Sequence, residues 1–221
     1  MTKIERVYAK AAEFAEGPHG RLVREYLART SGEDANALHQ LGSYVILYTP
    51  PRVRPPLMLI ADRPSWFDEF SPEKALANLA DVAAKIPSVN SYLDHDHKFA
   101  RFVKSAFEED KEYLLETCVG LNRFWFQTGP NFSAPSNREH PDLRAAWRKA
   151  VAHCKEGTRE LIEIVNPRSV ALIGGGAQEA VRESFRARHG AIVFEDCRDP
   201  ARGGQKQFVT DLKKLIEQAG L

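Results

Sequence analysis

Apolar residues recur along the chain in two patterns, one typical of helices and one of buried strands. Helical spacing is strongest over residues 142–165, where Leu143, Trp147 and Cys154 begin a stripe that continues to Val165. Helical spacing also covers the first 41 residues, broken at Gly17, and residues 177–188. Short apolar runs instead predict strands at residues 44–49, 57–61, 114–126, 169–173 and 191–194.

Strands therefore alternate with helices, and most of the strands are apolar on both faces. This order predicts a parallel sheet covered on both sides, an α/β fold with three α/β/α layers and a short central sheet. We expect one α/β domain over residues 44–221, preceded by a helical extension over residues 1–43.

Charge and composition exclude several classes of protein. Lys and Arg total 31 against 30 Asp and Glu, a net charge of +1, so a global basic excess for nucleic acid is absent. The longest apolar runs fall well short of the roughly 18 residues of a membrane helix, and we expect no membrane partner. Three widely spaced cysteines favour a reducing, cytoplasmic environment over a disulfide framework.

Ligands of parallel sheets bind beyond the carboxyl ends of the strands, so the loops at residues 62–66, 122–137 and 195–204 are candidate sites. One interpretation is dinucleotide binding by the turn 174–176, with Glu195 or Asp196 holding a ribose. Against it, Glu179 stands where the fingerprint has its third glycine, and only one helix follows Asp196.

Two other constellations have ordinary structural explanations. Residues 94–97 alternate Asp and His, but neighbours in an extended loop point to opposite sides and rarely share a metal ion. No metal site is predicted. Cys118 with His153 or His189 is a conceivable nucleophilic pair, yet Cys118 lies in an apolar run, where a buried thiol is inert.

The run from Cys154 to Ala177 resembles the helix–proline–strand–glycine segment of uracil-DNA glycosylases, nearest the branch that carries an iron–sulfur cluster. Residues 57–65, 117–126 and 195–215 resemble other segments of that family in the same order. The resemblance spans about residues 44–218 and implies the uracil-DNA glycosylase fold.

The resemblance also implies site residues. Asp62 would position water, Asn122 would read a flipped base, and Asp199 stands in the last catalytic motif. Residues that would hold substrate are Arg63, Trp66, Phe67, Arg198, Arg202 and Gly203. Further basic candidates for phosphate contacts are Arg123, Arg138, Arg144 and Arg148.

The sequence departs from the family at three points. Arg63 replaces the acid or amide that activates water, and an arginine cannot act as a base. Asp199 replaces a histidine, so either Asp199 is protonated, or Arg198 and Arg202 supply positive charge, or this chemistry is absent. Only Cys154 matches a cluster ligand and the first 117 residues contain no cysteine, so no cofactor is predicted.

These observations predict a divergent DNA-repair N-glycosylase that acts on a deaminated or damaged base. DNA is the expected partner, and a monomer is the expected state. A non-catalytic nucleobase- or nucleic-acid-binding relative with the same fold is the first alternative. A nucleotide-cofactor enzyme is the second.

Overall fold

A computed structural model describes most of the chain. The described residues are 1–30, 44–62, 80–95, 98–107, 112–126, 134–136, 138–200 and 203–221. Four residues predicted to hold substrate lie outside these ranges, namely Arg63, Trp66, Phe67 and Arg202.

Four short strands form one parallel sheet. They are β1 (Leu57–Ala61), β2 (Val119–Asn122), β3 (Ser169–Ile173) and β4 (Val193–Cys197). Their order across the sheet is β2-β1-β3-β4. Ala61 pairs with Asn122 on one side and with Ile173 on the other, which aligns the carboxyl ends of β2, β1 and β3.

Nine helices surround the sheet in the described part of the chain. They are α1 (Lys3–Glu16), α2 (Pro18–Thr30), α3 (Ser91–Asp94), α4 (Lys98–Lys104), α5 (Glu112–Thr117), α6 (Pro141–Val165), α7 (Gly175–Ala180), α8 (Glu183–Arg188) and α9 (Gln205–Gln218). The predicted helix at residues 142–165 is confirmed as α6, which has His140 as its N-cap and ends at a left-handed Asn166. None of these helices is long and apolar enough to cross a membrane.

The sheet is covered on both faces. Met58 and Ile60 of β1 share one hydrophobic cluster with side chains of α1, α2, α6, α7 and α8. Leu57 and Leu59 point to the other face and share a second cluster with side chains of α3, α4, α5 and α9. This alternation follows from the two-residue period of a strand. The predicted three-layer α/β/α fold with a short central parallel sheet is therefore confirmed.

The prediction of a strand at residues 44–49 was wrong. This segment runs antiparallel to β2 and its neighbours but forms only isolated bridges, Tyr44 to Phe126 and Leu47 to Leu121. The Thr49 hydroxyl accepts from Gly120 N (3.0 Å) and donates to Cys118 O (3.1 Å). The Thr49 side chain thus makes hydrogen bonds to the backbone of residues 118 and 120 that a paired strand would make with its own backbone.

Other element boundaries also differ from the predictions, and the strand predicted at residues 191–194 is β4 at Val193–Cys197. The predicted helix 177–188 is split into α7 and α8, because arginine side chains bond the carbonyls between them. Arg159 Nε donates to Ala180 O (2.8 Å), and Arg186 Nε donates to Val181 O (2.9 Å). The predicted strand 114–126 begins as helix α5, and its extended part is only Val119–Asn122.

The first two helices pack on α6 through aromatic contacts. Phe14 of α1 stacks on His153 of α6, with ring centroids 4.5 Å apart and planes 10° apart. Tyr26 of α2 meets Trp147 edge-on at 6.4 Å. A cavity of about 380 Å³ lies beside the stacked pair, and a second of about 170 Å³ adjoins it across His153.

The burial of His153 predicts a pH dependence of stability. Burial lowers the pKa of His153, with Glu156, Glu160 and Lys10 as the charged neighbours that modify this effect. The unfolded chain therefore binds a proton more readily than the folded protein as pH falls through about 6.5, and the free energy of unfolding decreases there.

We expect His153→Gln to flatten this dependence between roughly pH 7.5 and pH 5. Urea unfolding of the variant and the native protein at several pH values measures the difference. Parallel pH profiles for the two proteins would contradict the assignment to His153.

Candidate functional site at the carboxyl ends of the strands

The strand order creates a crevice at one edge of the sheet. The chain passes from β1 to β2 on one side of β1 and later returns to place β3 on its other side. Connections leave β1 and β3 in opposite directions, and parallel sheets bind ligands at such a reversal. The residues that follow Ala61 and Ile173 therefore border the candidate site.

An ion pair joins the ends of β1 and β2. Arg123 Nη2 lies 2.6 Å and its Nε 3.2 Å from Asp62 Oδ1, and both side chains are largely buried. Backbone bonds hold the two residues side by side, since Arg123 N donates to Ala61 O (2.7 Å) and Phe124 N to Asp62 O (2.9 Å). Both contacts of the guanidinium fall on Oδ1. Within the described ranges, Asp62 Oδ2 has no hydrogen-bond partner.

The role of Arg123 differs from the one suggested by the sequence. We expected it among the phosphate contacts, whereas it neutralises Asp62. A signal for this pairing was present, because Asp62 and Arg123 each follow the last residue of adjacent strands and carry opposite charges. Arg63, the next residue after Asp62, lies outside the described residues.

Glycines after β3 let this ion pair lie against the start of α7. A Cβ atom at Gly176 would overlap both Asp62 Oδ1 and Arg123 Nη2. Gly174 has a φ of +85°, a conformation that side chains disfavour. By contrast, nothing approaches within 4 Å of a Cβ placed on Gly175. Close approach therefore requires glycine at position 176, and backbone conformation favours it at 174.

Asp62 and Asp199 converge on Gly174. A Cβ built on Gly174 would lie 3.6 Å from Asp199 Cβ, 3.7 Å from Asp62 Cβ and 3.8 Å from Asp199 Oδ2. The hydrogen bond from Gly174 N to Cys197 O (3.0 Å) brings the end of β4, and with it Asp199, to this turn. Two carboxylates from distant parts of the sequence thus flank the crevice.

Asn122 lies at the same edge but on the other face of the sheet. It is fully buried, and its Nδ2 donates to Val45 O (3.1 Å). Its neighbour Leu121 belongs to the first hydrophobic cluster, so Asn122 faces the second, near Tyr48. No donor in the described part of the chain reaches Asn122 Oδ1. The structure therefore brings Asn122 next to Ala61 but does not bring its side chain to Asp62.

The loop after β4 places Arg198 and Gly203 near this edge. The Arg198 backbone N–H donates to Asp211 Oδ2 (3.0 Å), while its side chain is exposed and packs on Gly204. Gly203 has a φ of +75° and open space around it. Arg198 thus presents a charged group to solvent beside Asp199.

The same geometry disfavours the dinucleotide interpretation. Carboxylates of Asp62 and Asp199 occupy the space beside the glycine turn where a pyrophosphate would bind, and like charges repel there. The two acids considered for a ribose already have partners. Glu195 binds Lys214 Nζ at 2.6 Å, and Asp196 is paired with Arg186.

The remaining constellations are structural where the structure describes them. His95 is buried between the Ser91 hydroxyl (2.9 Å) and Asp81 Oδ2 (3.0 Å), while residues 96–97 lie outside the described ranges. Among the described residues, no group of three His, Cys, Asp or Glu side chains could hold a metal ion. Burial raises the pKa of Cys118 and of Cys154 to about 12, so both thiols stay protonated.

Comparison with known proteins adds no information about the function of this site. No protein-family model matches the sequence, and no curated protein matches it significantly.

Substitution of the two neighbouring glycines tests the packing of the ion pair. We expect Gly176→Ala to displace Asp62 and Arg123 and to lower the free energy of unfolding by about 1–3 kcal/mol. Gly175→Ala is the matched control, because its Cβ enters open space and alanine favours the helix. Urea unfolding measures both variants, and equal stabilities would contradict the proposed overlap.

Proposed function

We propose that this protein is a DNA N-glycosylase that removes a deaminated or damaged base. The observation that carries the proposal is the convergence of Asp62 and Asp199 on Gly174, at the strand reversal where parallel sheets bind ligands. The likeness of residues 154–177 to uracil-DNA glycosylases supports the same reaction class.

Two carboxylates suit the charge that develops during this reaction. As the N-glycosidic bond breaks, the sugar becomes cationic, as an oxocarbenium ion does in other glycoside hydrolyses, and the electron pair leaves with the base. Water then adds its hydroxyl to the sugar carbon and its proton goes to the departing base. Negative groups beside the sugar stabilise the cation, so ionised Asp62 and Asp199 would favour bond cleavage.

Asp62 has one oxygen available to orient the water. Arg123 holds Oδ1, and this contact fixes the plane of the carboxylate. Oδ2 remains for a water molecule, since it has no hydrogen-bond partner in the described part of the chain. In this proposal Asp62 positions and polarises the nucleophile, while Asp199 stabilises the sugar cation. Asp199 therefore acts on the sugar rather than in place of the leaving-group histidine.

Asn122 and Arg198 supply the complementary contacts. Asn122 keeps the role proposed from the sequence, in which its unpartnered Oδ1 accepts a hydrogen bond from an N–H group on the edge of a base, although the side chain is fully buried on the other face of the sheet. The exposed Arg198 guanidinium binds a phosphate of the same strand and adds positive charge near the departing base. Arg63, Trp66, Phe67 and Arg202 keep their proposed roles from the sequence.

A non-catalytic nucleobase-binding protein is the second candidate. The ion pair with Arg123 favours it, because the guanidinium already binds one oxygen of the carboxylate that would position the water. The same residues would then hold a base or nucleotide without cleavage. Product formation separates the two candidates.

The test uses single-stranded and duplex oligonucleotides that contain uracil, hypoxanthine or xanthine, followed by cleavage at abasic sites. We expect activity on at least one base and a loss of about 100- to 10,000-fold in Asp62→Asn and in Asp199→Asn. Asp196→Asn is the matched control, an aspartate at the same edge that is paired with Arg186, and it should retain activity.

Thermal unfolding of each variant checks that the fold is intact. No product from any substrate, with DNA binding retained, would support the non-catalytic candidate. A loss of activity in Asp196→Asn equal to that in Asp62→Asn would show that the assay reports folding rather than chemistry.

A further inference from the structure

A row of cations runs along one side of α6. Arg144, Arg148, Lys155 and Arg159 stand at positions i, i+4, i+11 and i+15, which fall within about 60° around a helix of 3.6 residues per turn. At 1.5 Å per residue the row is about 22 Å long. We call these four residues the α6 cationic row.

Most of the row lacks acidic partners in the described part of the chain. Glu160 binds Lys10 at 2.8 Å, on the side where α1 packs. Arg144, Arg148 and Lys155, however, form no side-chain hydrogen bond or ion pair within the described ranges.

Arg144 and Arg159 differ in their surroundings. The Nε group of Arg144 is buried and finds no acceptor among the described residues. Arg159 is anchored, since its Nε donates to Ala180 O and its guanidinium lies over the Phe185 ring at 5.7 Å. The row therefore combines one fixed guanidinium with three cations that form no ion pair in the described part of the chain.

The row reaches the candidate site at Lys155. Burial lowers the pKa of Lys155, and the positive charges of Arg182, Arg159 and Arg123 lower it further, whereas Glu179 opposes them. Arg123 is the partner of Asp62, and the Thr158 hydroxyl lies 3.5 Å from Arg123 O. The Lys155 end of the row thus lies near the carboxyl ends of β1 and β2, on the flank of α6 away from α1.

We propose that the α6 cationic row binds the sugar–phosphate backbone of the DNA strand that carries the target base. This inference rests on the proposed function for its ligand. A row of about 22 Å suits a linear polyanion, since a single phosphate would meet only one or two of its cations. The row also forms a local region of positive potential in a protein whose net charge is only +1.

The test compares two triple variants that lose the same charge. The first removes three cations of the row, with Arg144→Gln, Arg148→Gln and Lys155→Gln. The control removes three exposed cations of α1 and α2, with Lys3→Gln, Arg21→Gln and Arg29→Gln. Fluorescence anisotropy measures binding to an undamaged duplex and single strand between roughly 50 and 200 mM salt.

We expect the row variant to bind duplex more weakly and to show a slope of log K against log salt that is shallower by about 2–3. The control variant should keep the native slope. Equal slopes in the two variants would overturn the inference, as would equally tight binding of native protein to polyglutamate of matched charge, which would indicate an acidic peptide.

Undamaged DNA keeps this test separate from the test of glycosylase activity. Binding through the row without cleavage of any base would support the row and reject the enzyme. Base removal with an unchanged salt slope would support the enzyme and reject the row. Circular dichroism of both triple variants confirms that the fold is retained.

Discussion

The contact between the Asp62–Arg123 pair and Gly176 is the constraint on which the site depends. It joins the ends of β1 and β2 and brings both against the turn after β3. A largely buried carboxylate requires a compensating charge, and the nearest guanidinium provides it. Because position 176 has no side chain, the pair fits there, and Asp199 meets Asp62 across Gly174. Three separate chain segments thus form one acidic crevice.

Acidic and basic side chains occupy different positions at this edge of the sheet. Negative groups, Asp62 and Asp199, flank the turn inside the crevice, while Arg198 and the Lys155 end of the α6 cationic row lie near it. The arrangement matches the two demands of the proposed reaction, a cationic sugar at the centre and anionic phosphates at the margin. A net charge of +1 is therefore compatible with a local binding surface for DNA.

The periodic spacing of apolar residues correctly predicted several helices and strands. The apolar stripe of α6 and the runs at residues 57–61 and 169–173 give correct elements, because burial on a helix face or in a central strand imposes a period. Two of the errors lie where a side chain takes a backbone hydrogen bond. Thr49 does so beside β2, and Arg159 and Arg186 do so between α7 and α8. Such bonds join distant residues and leave no periodic signal.

The sequence by itself determined the fold class and located Asp62, Asn122 and Asp199 at strand ends, since hydrophobic periodicity and loop position are local properties. Only the tertiary structure decided which of these residues meet. It joined Asp62 to Arg123, brought Asp199 to Gly174 and turned Asn122 to the opposite face of the sheet. Strand order and register decide such contacts, and both depend on packing between segments far apart in the chain.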